Sequence, residues 1–161
     1  MKKSWQEKLN NSKDLPKIVR LKAEAAKKWG GSTMYIPSPL VIDKIMKKVP
    51  KGKVITTDKI RKHLAKKNKT AISCPLTTGI FTWISAYAAE EEKEDARKAG
   101  KESPNNMTPY WRTLKSGGVV NEKYPGGLAV QKKLLESERH KVEAKGKNFV
   151  VKEYELKLAK L

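Results

Sequence analysis

The stretch "IPSPLVIDKIMKKVPKGKVITTDKIRKHLAKKNK", residues 36–69, decides the fold. Val41, Ile45 and Val49, joined by Ile42 and Met46, recur at helical spacing, and Pro50-Lys51-Gly52 closes that first helix. Val54-Ile55 is a short apolar link. Thr56 or Thr57 then offers a cap oxygen to the free backbone N–H groups of a second helix, which ends near Asn68. In it Ile60 and Leu64 face inward, while Lys59, Arg61, Lys62 and Lys66 face outward.

Downstream, "SCPLTTGIFTWISAYAAEEEKEDARKAG", residues 73–100, predicts a long third helix. Pro75 suits its first turn, and Ile80, Ile84 and Ala88 share one face with Trp83 and Tyr87 beside them. Only its first half can approach a phosphate backbone, because "EEEKED" makes the second half acidic. A lysine-studded helix joined to another by a short turn is the minimal helix-turn-helix pattern. The eleven Lys and Arg residues between positions 44 and 69 support a nucleic-acid surface there.

Upstream, residues 1–36 carry nine basic and three acidic side chains, with Pro16 and Gly30-Gly31 as breaks and "AEAAKKW" as a short helix. They read as a basic arm that packs Trp5 or Trp29 on the domain or trails along a phosphate backbone. Towards the other end, a helix spans roughly 127–138. Val142 and Phe149-Val150-Val151 then flank a Lys-Gly-Lys turn, which reads as a small hairpin or wing before a short terminal helix.

A formal charge of +19 on 161 residues, with a pI near 10.0, exceeds what solubility requires and points to a polyanionic partner, nucleic acid first. The lone Cys74 excludes an intrachain disulfide and a thiolate-rich metal site. His63 and His140 lack a partner pattern, so neither metal nor cofactor is expected. No run approaches the ~18 apolar residues of a membrane span, and a soluble, cytoplasmic monomer is the expectation.

Three stretches resemble the DNA-binding domain of the alkylguanine-DNA alkyltransferases and their non-catalytic alkyltransferase-like relatives. "VPKGKVITTDKI" (49–60) is similar to the family's "PKGKVTTYGDIA", and "PYWRT" (109–113) stands where "PCHRV" is expected. "YPGGLAVQKKLLESERH" (124–140) is close to "YSGGLAVKEWLLAHEGH". The resemblance runs from about residue 37 to 142. It implies a winged-helix-like helix-turn-helix DNA-binding domain, and together with the hairpin and arm read above the expected fold is mainly α: that domain over 37–161, with a small β-hairpin or wing, and the basic N-terminal arm over 1–36. It also implies duplex DNA as partner through the minor groove, with a repair protein as a further partner, and recognition of a flipped-out alkylated base.

At the family's acceptor cysteine stands Tyr110, and at its activating histidine Trp111, so the relay that would continue to Glu138 is broken at two of its three members. A phenol with an ordinary pKa of ~10 is neutral near pH 7, and an indole has no basic nitrogen to deprotonate it. No enzyme activity is therefore expected. Cys74 reads as a small, partly buried filler rather than a substitute nucleophile. The family's flipping Tyr and Arg correspond to Thr57 and to Leu76 or Pro75. Leu76, Thr77 and Thr78 are then expected at the groove, Leu76 either as an apolar wedge between base steps or as a cap on the core. Tyr110 and Trp111 either fill the old pocket or form a stacking platform, and Tyr124 either lines that pocket or is a core tyrosine. Arg112 is expected to anchor the loop by a buried ion pair or carbonyl contacts. A sequence-tolerant DNA regulator or nucleoid protein, an alkyl-transfer enzyme using Tyr110 or Cys74, and an RNA-binding module are the alternative readings.

Overall fold

The computed structural model describes residues 3–161. In chain order these form α1 (Trp5–Asn10), β1 (Lys17–Arg20), α2 (Ala23–Trp29), β2 (Thr33–Ile36), α3 (Pro39–Lys47), β3 (Ile55–Thr56), α4 (Thr57–Lys67) and β4 (Ile72–Ser73). There follow α5 (Pro75–Lys98), a 3-10 turn at Tyr110–Arg112, β5 (Thr113–Leu114), α6 (Gly127–Ser137), β6 (Val142–Lys145), β7 (Asn148–Val151) and a second 3-10 turn at Tyr154–Lys157. The architecture is mixed rather than mainly α, since three small sheets tie the helices together: β1-β2-β4, β3-β5 and β6-β7.

Helix α3 starts where Ser38 accepts a hydrogen bond from the Val41 N–H (3.3 Å) and Pro39 occupies the first turn. Ile42, Met46 and Val49 from this helix and its exit are fully buried with Ile60 and Leu64 of α4. At the start of α4, Thr56 holds the cap position, but its side chain makes no cap bond. A second cluster, Val54, Leu114, Val120, Leu135, Val142 and Val151, lies under the hairpin.

The buried stripe of α5 differs from the expected one. Thr78, Thr82, Ser85, Ala86, Ala88 and Ala89 face inward, whereas Ile80 and Ile84 lie half-exposed on its shoulders. Small residues win the inner face because α5 receives α3 on one side and α1 on another, and backbones that approach closely have no room for branched side chains.

The basic N-terminal segment is folded onto the domain. Trp5 stacks on Tyr87 at 4.7 Å, and Gln6 Nε2 donates to the Ala88 carbonyl at 2.7 Å. The Glu91 carboxylate accepts from the backbone N–H groups of both Trp5 and Gln6, each at 3.0 Å. Part of the acidic half of α5 thus satisfies free amides at the start of α1. Strand β2 lies between antiparallel β1 and parallel β4, pairing Tyr35 with Ser73.

At the other end, β6 and β7 form an antiparallel hairpin around Gly146 (φ 61°). The expected terminal helix is only the 3-10 turn, because the tail beyond it runs beside Val54. The Val54 N–H donates to the Lys157 carbonyl (2.9 Å), and the Ala159 N–H donates to the Val54 carbonyl (2.8 Å). Gly126 caps α6 with φ 80°, a left-handed conformation, and a Cβ there would collide with Val130, so both backbone and space require glycine.

Candidate nucleic-acid interface

Part of the outward face of α4 meets the residues that lead into α5 at a shared cleft. Arg61 and Lys62 line a cleft of about 260 Å³ together with Ser73 and Pro75. Pro75 also lines a neighbouring cleft of about 590 Å³, with Thr57, Leu76, Trp83, Lys115 and Lys123 among its walls. Leu76, 71% exposed, projects from the first turn of α5 beside that larger cleft. It does not cap the core. At the rim, Lys115 holds Glu122 at 2.6 Å and keeps its carboxyl below the usual range.

The residues expected at the groove differ in their exposure and partners. Lys62 and Lys66 are exposed and Arg61 is half-buried. Lys59 instead donates from Nζ to the Ala159 carbonyl at 2.6 Å, tying the C-terminal tail to α4. Thr78 is fully buried, and its hydroxyl donates to the Cys74 carbonyl at 2.7 Å, closing the first turn of α5. Thr77 is half-buried, with a hydroxyl that has no partner among the described residues. Cys74, also half-buried, occupies the cap position, and its N–H donates to the Tyr35 carbonyl at 2.8 Å.

The Tyr110 ring is buried inside its loop, edge-on to Trp111 (5.4 Å) and to Tyr124 (5.5 Å). Its hydroxyl donates to Glu90 Oε1 at 2.8 Å. Burial first, and the carboxylate of Glu90 second, push the phenol well above its ordinary pKa. It is therefore held protonated, the opposite of what an alkyl acceptor needs. Tyr124 is a core tyrosine, buried and donating to the Thr113 carbonyl at 3.0 Å. The half-buried Trp111 and the buried Tyr110 both border a third cleft, of about 790 Å³, with Glu90, Met107, Arg112 and Val130.

Glu138 has been taken over by Arg112. The guanidinium meets its carboxylate at 2.6 Å and 2.9 Å and also donates from Nη1 to the Val49 carbonyl at 2.8 Å. Burial opposes ionisation of Glu138, but Arg112 outweighs it and holds the carboxyl below the usual range. The side chain acts as a structural anion. Sequence reasoning missed two partners of this region. Gln131, fully buried, accepts from the Asn121 N–H (2.7 Å) and donates to the Trp111 carbonyl (3.1 Å), locking two loops together. Asp43, also buried, accepts from the Thr108 hydroxyl at 2.6 Å. No local pattern marks either residue, since both look like ordinary polar positions on a helix.

No family model matches the chain, and no curated protein matches it. Among solved structures it is similar to S. pombe Atl1 in complex with damaged DNA containing O6-carboxymethylguanine. That similarity has a TM-score of 0.47 and 16% sequence identity, and covers 74% of this chain and 92% of the other. Among the described residues no helix is long and apolar enough to cross a membrane, and no group of three or more His, Cys, Asp or Glu side chains could hold a metal ion.

Proposed function

We propose that the chain is a non-enzymatic DNA-binding protein of the alkyltransferase-like type, with a winged-helix-like use of its fold. In this reading Lys62, Lys66 and Arg61 hold phosphates of a duplex, and the head of α5 enters the minor groove with Leu76 leading. The observation that carries it is the placement of an exposed leucine on the wall of a cleft that also holds Lys115 and Lys123, next to Pro75, which borders the Arg61–Lys62 cleft as well, on a chain of formal charge +19. An isolated exposed leucine needs no explanation. One standing beside a phosphate-binding surface is a wedge of the kind that minor-groove proteins insert between base steps.

An extruded alkylated base is assigned to the cleft of about 590 Å³ beside Leu76, where Trp83 supplies an aromatic wall and Lys123 a cation, rather than to the cleft that Tyr110 and Trp111 border, because only the former adjoins the leucine wedge. The test is competition between matched duplexes with and without one O6-alkylguanine, at about 50 and 200 mM salt. Affinity is expected to fall steeply with salt, by ~0.9 in the log–log slope for each phosphate neutralised, and the alkylated duplex is expected to compete better. Equal competition by the two duplexes supports a regulator or nucleoid role instead. An unchanged intact protein mass after incubation is the expected result for a protein that transfers nothing, and a permanent increase would refute it.

A further inference from the structure

The smaller cleft, of about 260 Å³ between α2 and α4, is built for more than a phosphate. Trp29 forms one wall, Ile72 and Pro75 supply apolar surface, Arg61 and Lys62 bring cations, and Asp58 adds a carboxylate whose pKa lies below the usual range. The N-terminal segment is shaped to deliver Trp29 there. Gly30, at φ 75°, ends α2, and the Gly31 N–H donates back to the Ala26 carbonyl at 3.0 Å. Gly31 then lies so close to Ala71 that an added Cβ would stand 2.6 Å from the alanine's own. Trp29 remains 39% exposed, with Lys28 Nζ 5.2 Å from its ring.

Ser73 also lines this cleft. It is 2% exposed, and its hydroxyl has no hydrogen-bond partner among the described residues. A buried hydroxyl without a partner is costly, so a ligand that supplies one has an advantage there. A bare phosphate would gain nothing from the tryptophan and isoleucine walls. An apolar side chain would leave both the hydroxyl and the cations unmatched. A nucleobase carried on a sugar-phosphate strand meets these demands together: a π face for Trp29, a polar edge for Ser73, an amino group for the Asp58 Oδ1 that has no partner among the described residues, and a flanking phosphate for Arg61 and Lys62. The volume fits one base and lies below the range of ~300–1,000 Å³ that suits drug-sized ligands.

We propose that this cleft takes one unstacked nucleobase of the bound strand, stacked on Trp29. The inference rests on the DNA-binding reading and deepens it: strand distortion at Leu76 has a receptacle on each side of Pro75, and only this one depends on the N-terminal segment. The experiment titrates two duplexes at one salt concentration, one fully paired and one with a single bulged 2-aminopurine, against wild type, Trp29→Phe and Trp29→Ala. Wild type is expected to bind the bulged duplex about tenfold more tightly and to quench the bulged base on binding. Trp29→Phe keeps part of both effects. Trp29→Ala loses them while holding its affinity for the paired duplex, with an unchanged circular dichroism spectrum. Binding of the paired duplex without any preference for the bulge, or a preference that survives in Trp29→Ala, overturns the inference alone. Failure of wild type to bind either duplex overturns the DNA-binding reading as well.

Discussion

Tyr110 commits both its ring and its hydroxyl to the fold. The ring occupies space that a smaller side chain would leave open, and its hydroxyl is committed to Glu90. Tyr110→Phe is expected to lower stability by about 1 kcal/mol, the usual net worth of such a bond, without changing DNA affinity. Denaturant titration and a binding isotherm on the same preparation check both halves. A second residue-scale prediction concerns acid. His140 is buried, both ring nitrogens lack partners among the described residues, and burial lowers its pKa. Its neutral form belongs to the fold, so the stability it contributes is complete above the unfolded value of ~6.5 and is lost as pH falls below that value towards the lowered folded pKa. Glu138 acts in the same direction at lower pH, because its folded pKa is depressed as well. Wild type should lose stability between pH 7 and pH 5.5, and His140→Gln should lose less, as measured by denaturant midpoints at the two pH values.

At the scale of elements, α4 divides its labour by face. Ile60 and Leu64 are sunk in the core, Lys59 is tied to the tail, and Lys62 and Lys66 are left to solvent. Replacing Lys62 and Lys66 together by Gln should weaken duplex binding at low salt and make the log–log salt slope shallower by about 2, with stability nearly unchanged. Lys59→Gln should instead lower stability and leave the slope alone, which separates a structural cation from a phosphate contact. Helices α3, α4 and α6 are legible in the sequence because apolar residues repeat at helical spacing beside identifiable breakers. The two-residue strands β3, β4 and β5 are not, since so short a run carries no alternation. The inner face of α5 falls to Thr78, Thr82 and Ser85 rather than to its isoleucines for a related reason. Periodicity ranks faces by hydrophobicity, whereas a helix packed on two sides selects its closest contacts by size.

For the whole molecule, the N-terminal segment is a working part of the fold. Its first helix stacks Trp5 on Tyr87 and donates two free N–H groups to Glu91, while β2 bridges β1 and β4. Trp5→Ala should therefore lower the thermal midpoint by several degrees, roughly the effect of 1–2 kcal/mol in a domain of this size, and a scanning calorimetry trace should show it. The sequence by itself determined helices α2 to α6, the turn between α3 and α4, the hairpin around Gly146 and the excess of positive charge. All of these follow from local spacing or from composition. Only the tertiary structure decided that Tyr110 fills its loop, that Lys59 is spent on the tail and that Trp29 meets Arg61 across a cleft. Each of those outcomes depends on a partner distant along the chain, as Lys59 and Ala159 are by 100 positions. A side chain's burial and its choice of partner are settled by the packing of segments that no local pattern relates.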